Sequence, residues 1–257
     1  SIMVWPGAIA IGISLGLLGS GGSILTVPVL VYLLGQDEKV AIAGSLFIVG
    51  SIALAGSLQF VRAGFINWRT VAIFGIPGMA GTWLGAAIAE YVSGLTQLAL
   101  FAVVMLLASA LILRPPRLDK GPRVERALWK IAIDGLVVGV ITGLVGVGGG
   151  FLIVPALVLL GGLTMHQAVA TSLIIIALKS FSGFWKYLEV LEAQSLELDW
   201  ATLLIVTALG IAGSVAGSKL ARKLPQHKLK RGFGWFLIVM GIYILARSGP
   251  AALGISS

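Results

Sequence analysis

The chain has 257 residues, of which 58% are hydrophobic and 11% charged, with a formal net charge of +8 and no cysteine. Soluble domains carry roughly 25% charged residues, and a mean hydropathy of +1.05 cannot be hidden inside a globule of this size. These values exclude a soluble enzyme, a disordered tail and a disulfide scaffold, and they predict a polytopic integral membrane protein. The basic residues lie in short loops between apolar runs, where they indicate membrane orientation rather than nucleic-acid binding.

Six apolar runs are long enough to cross a bilayer as helices, which takes about 20 residues each. In chain order they are residues 40–61, 70–91, 95–113, 167–187, 200–220 and 230–246. Two further runs are interrupted by glycine: residues 4–18 and 24–34 flank a loop at 19–23, and residues 131–145 and 151–160 flank a loop at 146–150. Each interrupted pair predicts either one broken helix or a hairpin that returns to its starting side. Apolar sequence begins at Ile2 without a basic segment before it, so we expect no signal peptide.

The chain contains two copies of one unit. Residues 16–28 align with residues 143–155 at an offset of 127, and the same register holds for 41–46 against 168–173. After a short insertion the offset becomes 132, which aligns Trp68 with Trp200. We therefore divide the chain into a first transmembrane repeat (1–113), a basic cytoplasmic linker (114–130) and a second transmembrane repeat (131–257).

The distribution of basic residues distinguishes the two interpretations of the interrupted runs. If each pair crossed the membrane once, lysines and arginines would be divided almost evenly between the two sides. If each pair is a hairpin, the basic segments 114–130 and 219–231 share one side with Arg62 and Arg69, and the acidic residues between 189 and 199 face the other. Because basic loops stay in the cytoplasm, we expect an all-α integral membrane fold with both termini outside. It would consist of two inverted repeats, each a glycine-broken re-entrant helix hairpin plus three transmembrane helices.

Glycine-interrupted helices at matching positions of inverted repeats are typical of secondary transporters, whose site lies at the repeat interface. Successive glycines expose backbone N–H groups, and a helix that restarts after them points its positive dipole end at the loop. Close helix packing by small residues is the alternative explanation. The predicted anion-binding loops comprise Gly19, Ser20, Gly21, Gly22 and Ser23 in the first repeat, and Gly146, Gly148, Gly149 and Gly150 in the second.

Lys179 is the most informative single residue, because it lies inside the run 167–187, where a charged group is costly and functional by default. A cation beside two loops rich in N–H groups predicts an anionic substrate. The alternative is a lysine that snorkels toward the outer face. Ser172 lies seven residues earlier on the same helix face. Together with its repeat counterpart Ser45 and its neighbour Thr171, it is a candidate to orient the substrate.

Other polar and small residues give weaker signals. We expect the hydroxyls of Ser51, Ser57 and Ser180 to bond to their own helix backbone. The four-residue spacing of Gly81 and Gly85 predicts a helix-packing contact. The sequence has no catalytic constellation and no set of metal ligands, so we expect no enzymatic activity, no cofactor and no metal site.

The duplicated motif Gly-Leu-x-Gly-x-Gly-Gly-x-x-x-x-Val-Pro, followed by Ala-x-Ala-x-Ser-Leu, resembles the sulfite exporter TauE/SafE family, also grouped as toluene-sulfonate uptake permeases. The resemblance covers residues 9 to about 245. It implies a permease of the bacterial inner membrane that moves sulfite, sulfonates or related sulfur anions. The first copy departs from the second at Gly44, where the second has Thr171, so the two half-sites differ chemically. The family's glycine motif falls on Gly19, Gly21, Gly22 and Pro28, and on Gly146, Gly148, Gly149 and Pro155.

We therefore predict a secondary transporter that exports a small sulfur oxyanion by alternating access. Sulfite and an organosulfonate such as sulfoacetate are the expected substrates, and proton coupling is an open option. An anion channel, or a carrier of a different small anion with the same architecture, is the alternative. The expected partners are the anionic substrate and the lipid bilayer, without nucleic acid, and both a monomer and a homodimer are compatible with the sequence.

Overall fold

The computed structural model of the chain describes residues 4–18, 24–113, 128–146, 153, 157, 163, 165–221, 223 and 225–252. Helices account for most of these residues, and no strand occurs among them. The predicted all-α class is therefore confirmed, and it fits an integral membrane protein.

The helices described here follow one another in chain order, and each of the six predicted long runs forms one helix, apart from small shifts at the ends. They are α1, Val4–Leu18; α2, Thr26–Pro28, which continues as a π-helical turn over Val29–Leu33; α3, Glu38–Ala63; α4, Trp68–Ala89, with a π-helical turn over Val71–Gly75; α5, Gly94–Leu113; α6, Leu128–Val145; α7, Met165–Ala193; α8, Trp200–Ala221; and α9, Gln226–Ala252.

Local capping interactions fix where α3 and α4 begin and where α3 ends. The side chain of Asp37 accepts a hydrogen bond of 2.9 Å from the backbone N–H of Lys39 at the start of α3. Asn67 caps α4 in the same way, accepting from the N–H of Thr70 at 3.1 Å. Gly64 ends α3 in the left-handed conformation, with φ 73°, which glycine adopts without strain.

The helices pack in pairs that follow the duplication. α1 packs against α8, and its repeat counterpart α6 packs against α4. α3 packs against α7 and α5 against α9, and the members of each of these pairs are counterparts of one another. α4 also packs against α7, as α8 does against α3. The long helices therefore find their main partners in the other half of the chain.

A row of glycines brings α4 and α6 into backbone contact. A Cβ atom on Gly81 would overlap the carbonyl of Leu136. A Cβ atom on Gly85 would overlap the carbonyl of Val140. Such close approach requires residues without a side chain, so the packing interpretation of the Gly81 and Gly85 spacing is confirmed. Matching close approaches from α6 join Gly135 to Phe74, Gly139 to Gly78 and Gly143 to Thr82, and because these numbers rise together the two helices run parallel.

Several helix ends meet at one side of the bundle, which we call the acidic end and define as residues 34–38, 89–94 and 192–200. Nε2 of Gln194, just after α7, donates a hydrogen bond of 3.2 Å to the carbonyl of Glu90, just after α4. Gly94, which begins α5, lies against Glu38, which begins α3, and a Cβ atom on Gly94 would be 2.8 Å from Cβ of Glu38. The carboxylates of this end are Asp37, Glu38, Glu90, Glu192, Glu197 and Asp199.

The outer surface of the bundle is apolar along the middle of its helices, whereas polar side chains such as Ser45 and Lys179 are buried. In water this arrangement would be unfavourable over so large a surface. Within the described residues, Glu38–Leu58 and Trp68–Ala89 are long and apolar enough to cross a membrane. The exposed apolar side chains include Leu58, Ile76, Leu107, Val137, Leu204 and Val239.

Candidate substrate site

Most of the two predicted glycine loops lies outside the described residues: Gly19, Ser20, Gly21, Gly22 and Ser23 of the first loop, and Gly148, Gly149 and Gly150 of the second. Gly146, the first residue of the second loop, is described. It follows the end of α6 with φ 77°, and its N–H donates to the carbonyl of Thr142 at 2.8 Å. A Cβ atom at Gly146 would lie 2.8 Å from Cγ2 of Ile42 in α3, so glycine is required both by backbone conformation and by space.

Ser45 holds this glycine from the other half of the chain. It is fully buried in α3, and its hydroxyl donates a hydrogen bond of 2.9 Å to the carbonyl of Gly146. A serine hydroxyl has a single proton to donate. In this conformation that proton is used on the loop, so Ser45 positions the start of the glycine loop.

Lys179 is fully buried in the middle of α7. Its aliphatic stem lies over Gly78 of α4, where a Cβ atom would come within 2.9 Å of the lysine Cδ. Its Nζ donates to Oγ1 of Thr142 in α6 at 3.2 Å. Among the described residues no carboxylate forms an ion pair with it, since the ion pair found there is that of Lys186 with Glu189. Lys179 does not snorkel to the surface in this structure.

Thr142 links Lys179 to the second glycine loop. Its hydroxyl accepts from Lys179 and donates to the carbonyl of Val138 at 2.9 Å, and its own carbonyl accepts from Gly146. Lys179, Thr142, Gly146 and Ser45 therefore form one connected chain of hydrogen bonds across α7, α6 and α3. Thr142 was not among the residues singled out from the sequence, because a threonine in an apolar helix carries no signal until its neighbours are known.

Thr171 lies apart from this chain. Its Oγ1 accepts a hydrogen bond of 3.0 Å from the N–H of Asn67, in the loop between α3 and α4. It is eight residues before Lys179, which is about 12 Å along a helix. Ser172, its neighbour, is also buried. The structure thus brings Lys179 and Ser45 to the end of α6 and leaves Thr171 nearer to the opposite end of the bundle.

Of the serines expected to bond to their own helix, one does so in the structure and another does not. Ser57 donates to the carbonyl of Leu54 at 2.7 Å, as predicted. Ser180 does not: its hydroxyl is buried and has no hydrogen-bond partner in the described part of the chain. It packs against Gly50 of α3, where a Cβ atom would lie 3.0 Å from Cβ of Ser180. Close contact between α3 and α7 therefore takes the place of the expected hydrogen bond.

A second buried lysine, Lys39, was missed in the sequence because it lies at the edge of an apolar run. Its side chain is 5% exposed. Its Nζ donates to the carbonyls of Ala89 and Val92, the latter at 2.6 Å, and to Oε1 of Gln97 at 2.7 Å. These carbonyls lie at the end of α4, where a cation is also favoured by the helix dipole.

Gln97 and Tyr187 extend this network to the end of α6. Nε2 of Gln97 donates to the carbonyl of Leu144 at 2.8 Å and to Oη of Tyr187 at 3.0 Å. Tyr187 in turn donates to the carbonyl of Gly143 at 2.6 Å. A glutamine inside the run 95–113 was the signal that could have drawn attention to this network. We call Lys39, Gln97 and Tyr187 the Lys39 network.

Comparison with known proteins assigns the chain to a family. Residues 4–244 match the family model described as Sulfite exporter TauE/SafE. The chain belongs to this family. A relative from Xylella fastidiosa (strain 9a5c) named "Probable membrane transporter protein" is 32% identical over 246 residues, which cover 93% of this chain and 92% of the relative. No solved structure matches the chain.

Two further relatives have similar names. "Probable membrane transporter protein YunE" of Bacillus subtilis (strain 168) is 27% identical over 269 residues, covering 95% of this chain and 96% of the relative. A "Probable membrane transporter protein" of Haemophilus influenzae is 29% identical over 253 residues, covering 92% and 94%. The family and these names indicate a multi-pass membrane transporter and not an enzyme, as the sequence predicted.

Proposed function

We propose that this TauE/SafE transporter is a secondary carrier that exports a small sulfur oxyanion, sulfite or an organosulfonate such as sulfoacetate, by alternating access. The observation that carries the proposal is Lys179, a fully buried lysine with no ion-pair partner among the described residues. A buried charge without a counter-charge is strongly unfavourable. An anionic substrate would supply that counter-charge each time it binds.

The surroundings of Lys179 suit an anion with several oxygens. An ammonium group has three protons to donate, and one of them is directed at Thr142. Thr142 leads directly to Gly146, the first residue of a loop whose successive N–H groups would form an anion-binding concavity. We infer that sulfite or sulfonate oxygens would bind Lys179 together with N–H groups of the two glycine loops, with Ser172 as a further candidate donor. Thr171, about 12 Å from Lys179 along α7, would contact the anion at a different point of its path. Ser45 would keep the second loop in place.

Helix directions support the proposed inverted-repeat hairpins. α4 begins directly after Asn67, and Asn67 contacts Thr171 near the beginning of α7. α6 runs parallel to α4, since Gly135 lies against Phe74 and later glycines continue the same register. α6 and α7 thus begin at the same end of the bundle. This favours a hairpin over residues 131–160, which enters and leaves at that end, rather than a single broken crossing.

The first half offers a similar argument. Gly7, near the beginning of α1, lies against Val29 in the π-helical turn that leads to the acidic end, and a Cβ atom on Gly7 would be 3.0 Å from Cγ1 of Val29. This contact favours a hairpin over residues 4–34. The basic segments 114–130 and 219–231 would then be cytoplasmic in the bacterial inner membrane, and the acidic end and both termini would face outward. Alternating access would come from movement of the repeats 1–113 and 131–257 around the site, with α4 and α6 moving together because their backbones are in contact.

The test is flux of sulfite and sulfoacetate in proteoliposomes, with and without an imposed pH gradient. We expect saturable flux, and a response to the gradient would establish proton coupling. Lys179→Met should reduce flux at least tenfold, because removing one partner of a buried charge pair weakens binding by roughly tenfold or more. Lys186→Met is the matched control on the same helix, since Lys186 is partly exposed and already paired with Glu189, and it should retain flux.

Three outcomes would contradict the proposal. Normal flux in Lys179→Met at every substrate concentration would remove Lys179 from the mechanism. Flux that rises linearly with concentration, without counterflow, would indicate the anion channel. Absence of flux for both anions would exclude these substrates and direct the assay to a different small anion carried by the same architecture.

A further inference from the structure

The Lys39 network joins five helices at the acidic end through polar side chains. Lys39 of α3 binds the carbonyls at the end of α4, Gln97 belongs to α5, and Tyr187 of α7 binds the end of α6. Their polar groups have hydrogen-bond partners, and such a network is stable only while it is complete. Apolar contacts between helices can change gradually as the helices shift, whereas the hydrogen bonds of this network are either formed or broken.

The network meets the Lys179 site at consecutive residues of α6. Lys179 binds the hydroxyl of Thr142, and Tyr187 binds the carbonyl of Gly143. Gly143 is also a residue at which α6 touches the backbone of α4, at Thr82. A shift of the end of α6 would therefore change the contacts of Lys179 and those of Tyr187 together. The network lies between Lys179 and the acidic end, since Tyr187 follows Lys179 by eight residues, about 12 Å along the helix.

The network belongs to one half of the pseudo-symmetric fold. The offset of 127 residues places His166 opposite Lys39 and Phe60 opposite Tyr187, and the offset of 132 places Leu229 opposite Gln97. Leucine and phenylalanine side chains neither donate nor accept hydrogen bonds. An equivalent three-membered network therefore cannot form at the symmetry-related position, and its breakage would affect only one end of the bundle.

A pocket of about 300 Å³ borders the network on the side of the acidic end. Lys39 lines it together with Glu38, Glu90 and Gln194. Water entering a pocket with this polar lining can hydrate Lys39 and the carbonyls of Ala89 and Val92 once their hydrogen bonds open. Opening would therefore exchange internal hydrogen bonds for hydrogen bonds to water.

We propose that Lys39, Gln97 and Tyr187 form a latch that closes the acidic end over Lys179 and must open before solute can pass between the site and that end. The latch acts on the end of α6, so its state is linked to Thr142 and to the glycine loop that starts at Gly146. This inference rests on the proposed function, because it assumes that access to Lys179 alternates between the two ends. The latch residues are positioning residues and do not bind the substrate in this scheme.

The chain has no cysteine, so a single introduced cysteine can report access directly. Val145→Cys places the reporter at a buried residue beside Leu144, which accepts from Gln97. Reaction with a membrane-impermeant maleimide is measured from each side of oriented proteoliposomes, and exposed Ser93→Cys identifies the side of the acidic end. In the Tyr187→Phe background we expect about tenfold faster labelling from that side only, since two hydrogen bonds are lost.

Controls separate an opened latch from a loosened protein. Gln97→Leu should give the same one-sided acceleration as Tyr187→Phe. Thr207→Val should not, because the hydroxyl of Thr207 is buried and, among the described residues, bonds only to Leu203 of its own helix. Unfolding temperatures are compared for all variants, and Tyr187→Phe removes a single oxygen, so folding should be retained.

Unchanged labelling in both Tyr187→Phe and Gln97→Leu would overturn the latch. Equal acceleration from both sides, or the same acceleration in Thr207→Val, would also overturn it. Labelling requires no substrate. One-sided acceleration of labelling without flux of sulfite or sulfoacetate would therefore support the latch and contradict the proposed substrate. Flux of these anions without accelerated labelling would support the proposed substrate and contradict the latch.

Discussion

Ser45 of α3 donates a hydrogen bond of 2.9 Å to the carbonyl of Gly146, which lies in the other repeat at the end of α6. The N–H of Gly146 is already bound by Thr142. Both backbone groups of the first residue in the second glycine loop are therefore fixed, one by its own helix and one by the opposite half. If one half moves relative to the other, this hydrogen bond must either break or move as a unit with both of its residues.

Replacement of Ser45 by alanine should lower stability and weaken transport. The carbonyl of Gly146 would be left buried without its partner, which costs about 1–3 kcal/mol, and the loop would be less well positioned for substrate. We expect a lower unfolding temperature in detergent and a KM for flux raised severalfold, with a smaller change in the maximal rate. Ser57→Ala is the control, since in the described part of the chain the hydroxyl of Ser57 bonds only to Leu54 of its own helix. Identical behaviour of the two variants would contradict a positioning role for Ser45.

Gly146→Ala should destabilise the protein more than Gly64→Ala. Both glycines have left-handed backbone, with φ 77° and 73°, so both substitutions introduce strain of about 1–2 kcal/mol. Only at Gly146 would the new methyl group also meet Ile42, whereas at Gly64 no atom of the described residues lies within 4 Å of it. Denaturant unfolding of the two variants isolates the contact with α3. Equal losses would show that α3 yields to the methyl group without cost.

Gly85→Ala should separate α4 from α6 and prevent normal folding or function. The added Cβ would overlap the backbone of Val140, and helix backbones cannot yield as a flexible side chain can. Gly232→Ala in α9 is the matched control, since none of the residues that the structure describes comes within 4 Å of its Cβ position. There alanine should stabilise the helix by about 0.5–1 kcal/mol. Yield of folded protein in size-exclusion chromatography and unfolding temperature provide the measurement. A folded, active Gly85→Ala variant would contradict the packing.

Much of this fold could be predicted because its determinants are local or repeated. Apolar runs of fixed length specify the helices, and the spacing of Gly81 and Gly85 specified a close helix contact before the partner was known. The burial of Lys179 could also be predicted, since a charge in the middle of a long apolar run has few other places to go. Each of these inferences needs only the residue and its neighbours in the chain.

The partners of polar residues could not be predicted in the same way. Tyr187 and Gln97 lie on different helices, 90 residues apart, and their contact depends on how α5, α6 and α7 pack. The burial of Lys39 could not be recognised in the sequence, because a lysine at the start of an apolar run resembles an ordinary interfacial residue. Ser180 was expected to bond to its own helix, but contact with Gly50 decides its environment. Side-chain hydrogen bonds between helices follow from tertiary packing, which periodicity does not encode.

Asp199 should make stability depend on pH at the start of α8. It accepts hydrogen bonds from the hydroxyl of Thr202 at 2.6 Å and from its N–H at 3.2 Å. The hydroxyl bond foremost, and then the backbone bond, lower the pKa of Asp199 below its ordinary value of 3.8. Because the ionised form is favoured in the folded state, this contribution is present above that ordinary value and is lost as the pH falls through the lower, folded-state pKa.

We therefore expect Asp199→Asn to unfold at a lower temperature than the unmodified chain at neutral pH, and the difference to shrink on acidification below the ordinary Asp pKa. The asparagine amide still caps a helix, so the remaining difference reports the charge. Thermal unfolding in detergent, followed by circular dichroism from neutral to acidic pH, gives the measurement. Glu197→Gln, which removes an exposed carboxylate two residues earlier, is measured alongside as the control for the loss of one negative charge. If the gap between Asp199→Asn and the unmodified chain stayed constant with pH, the cap would act through geometry alone and the ionised carboxylate would contribute nothing.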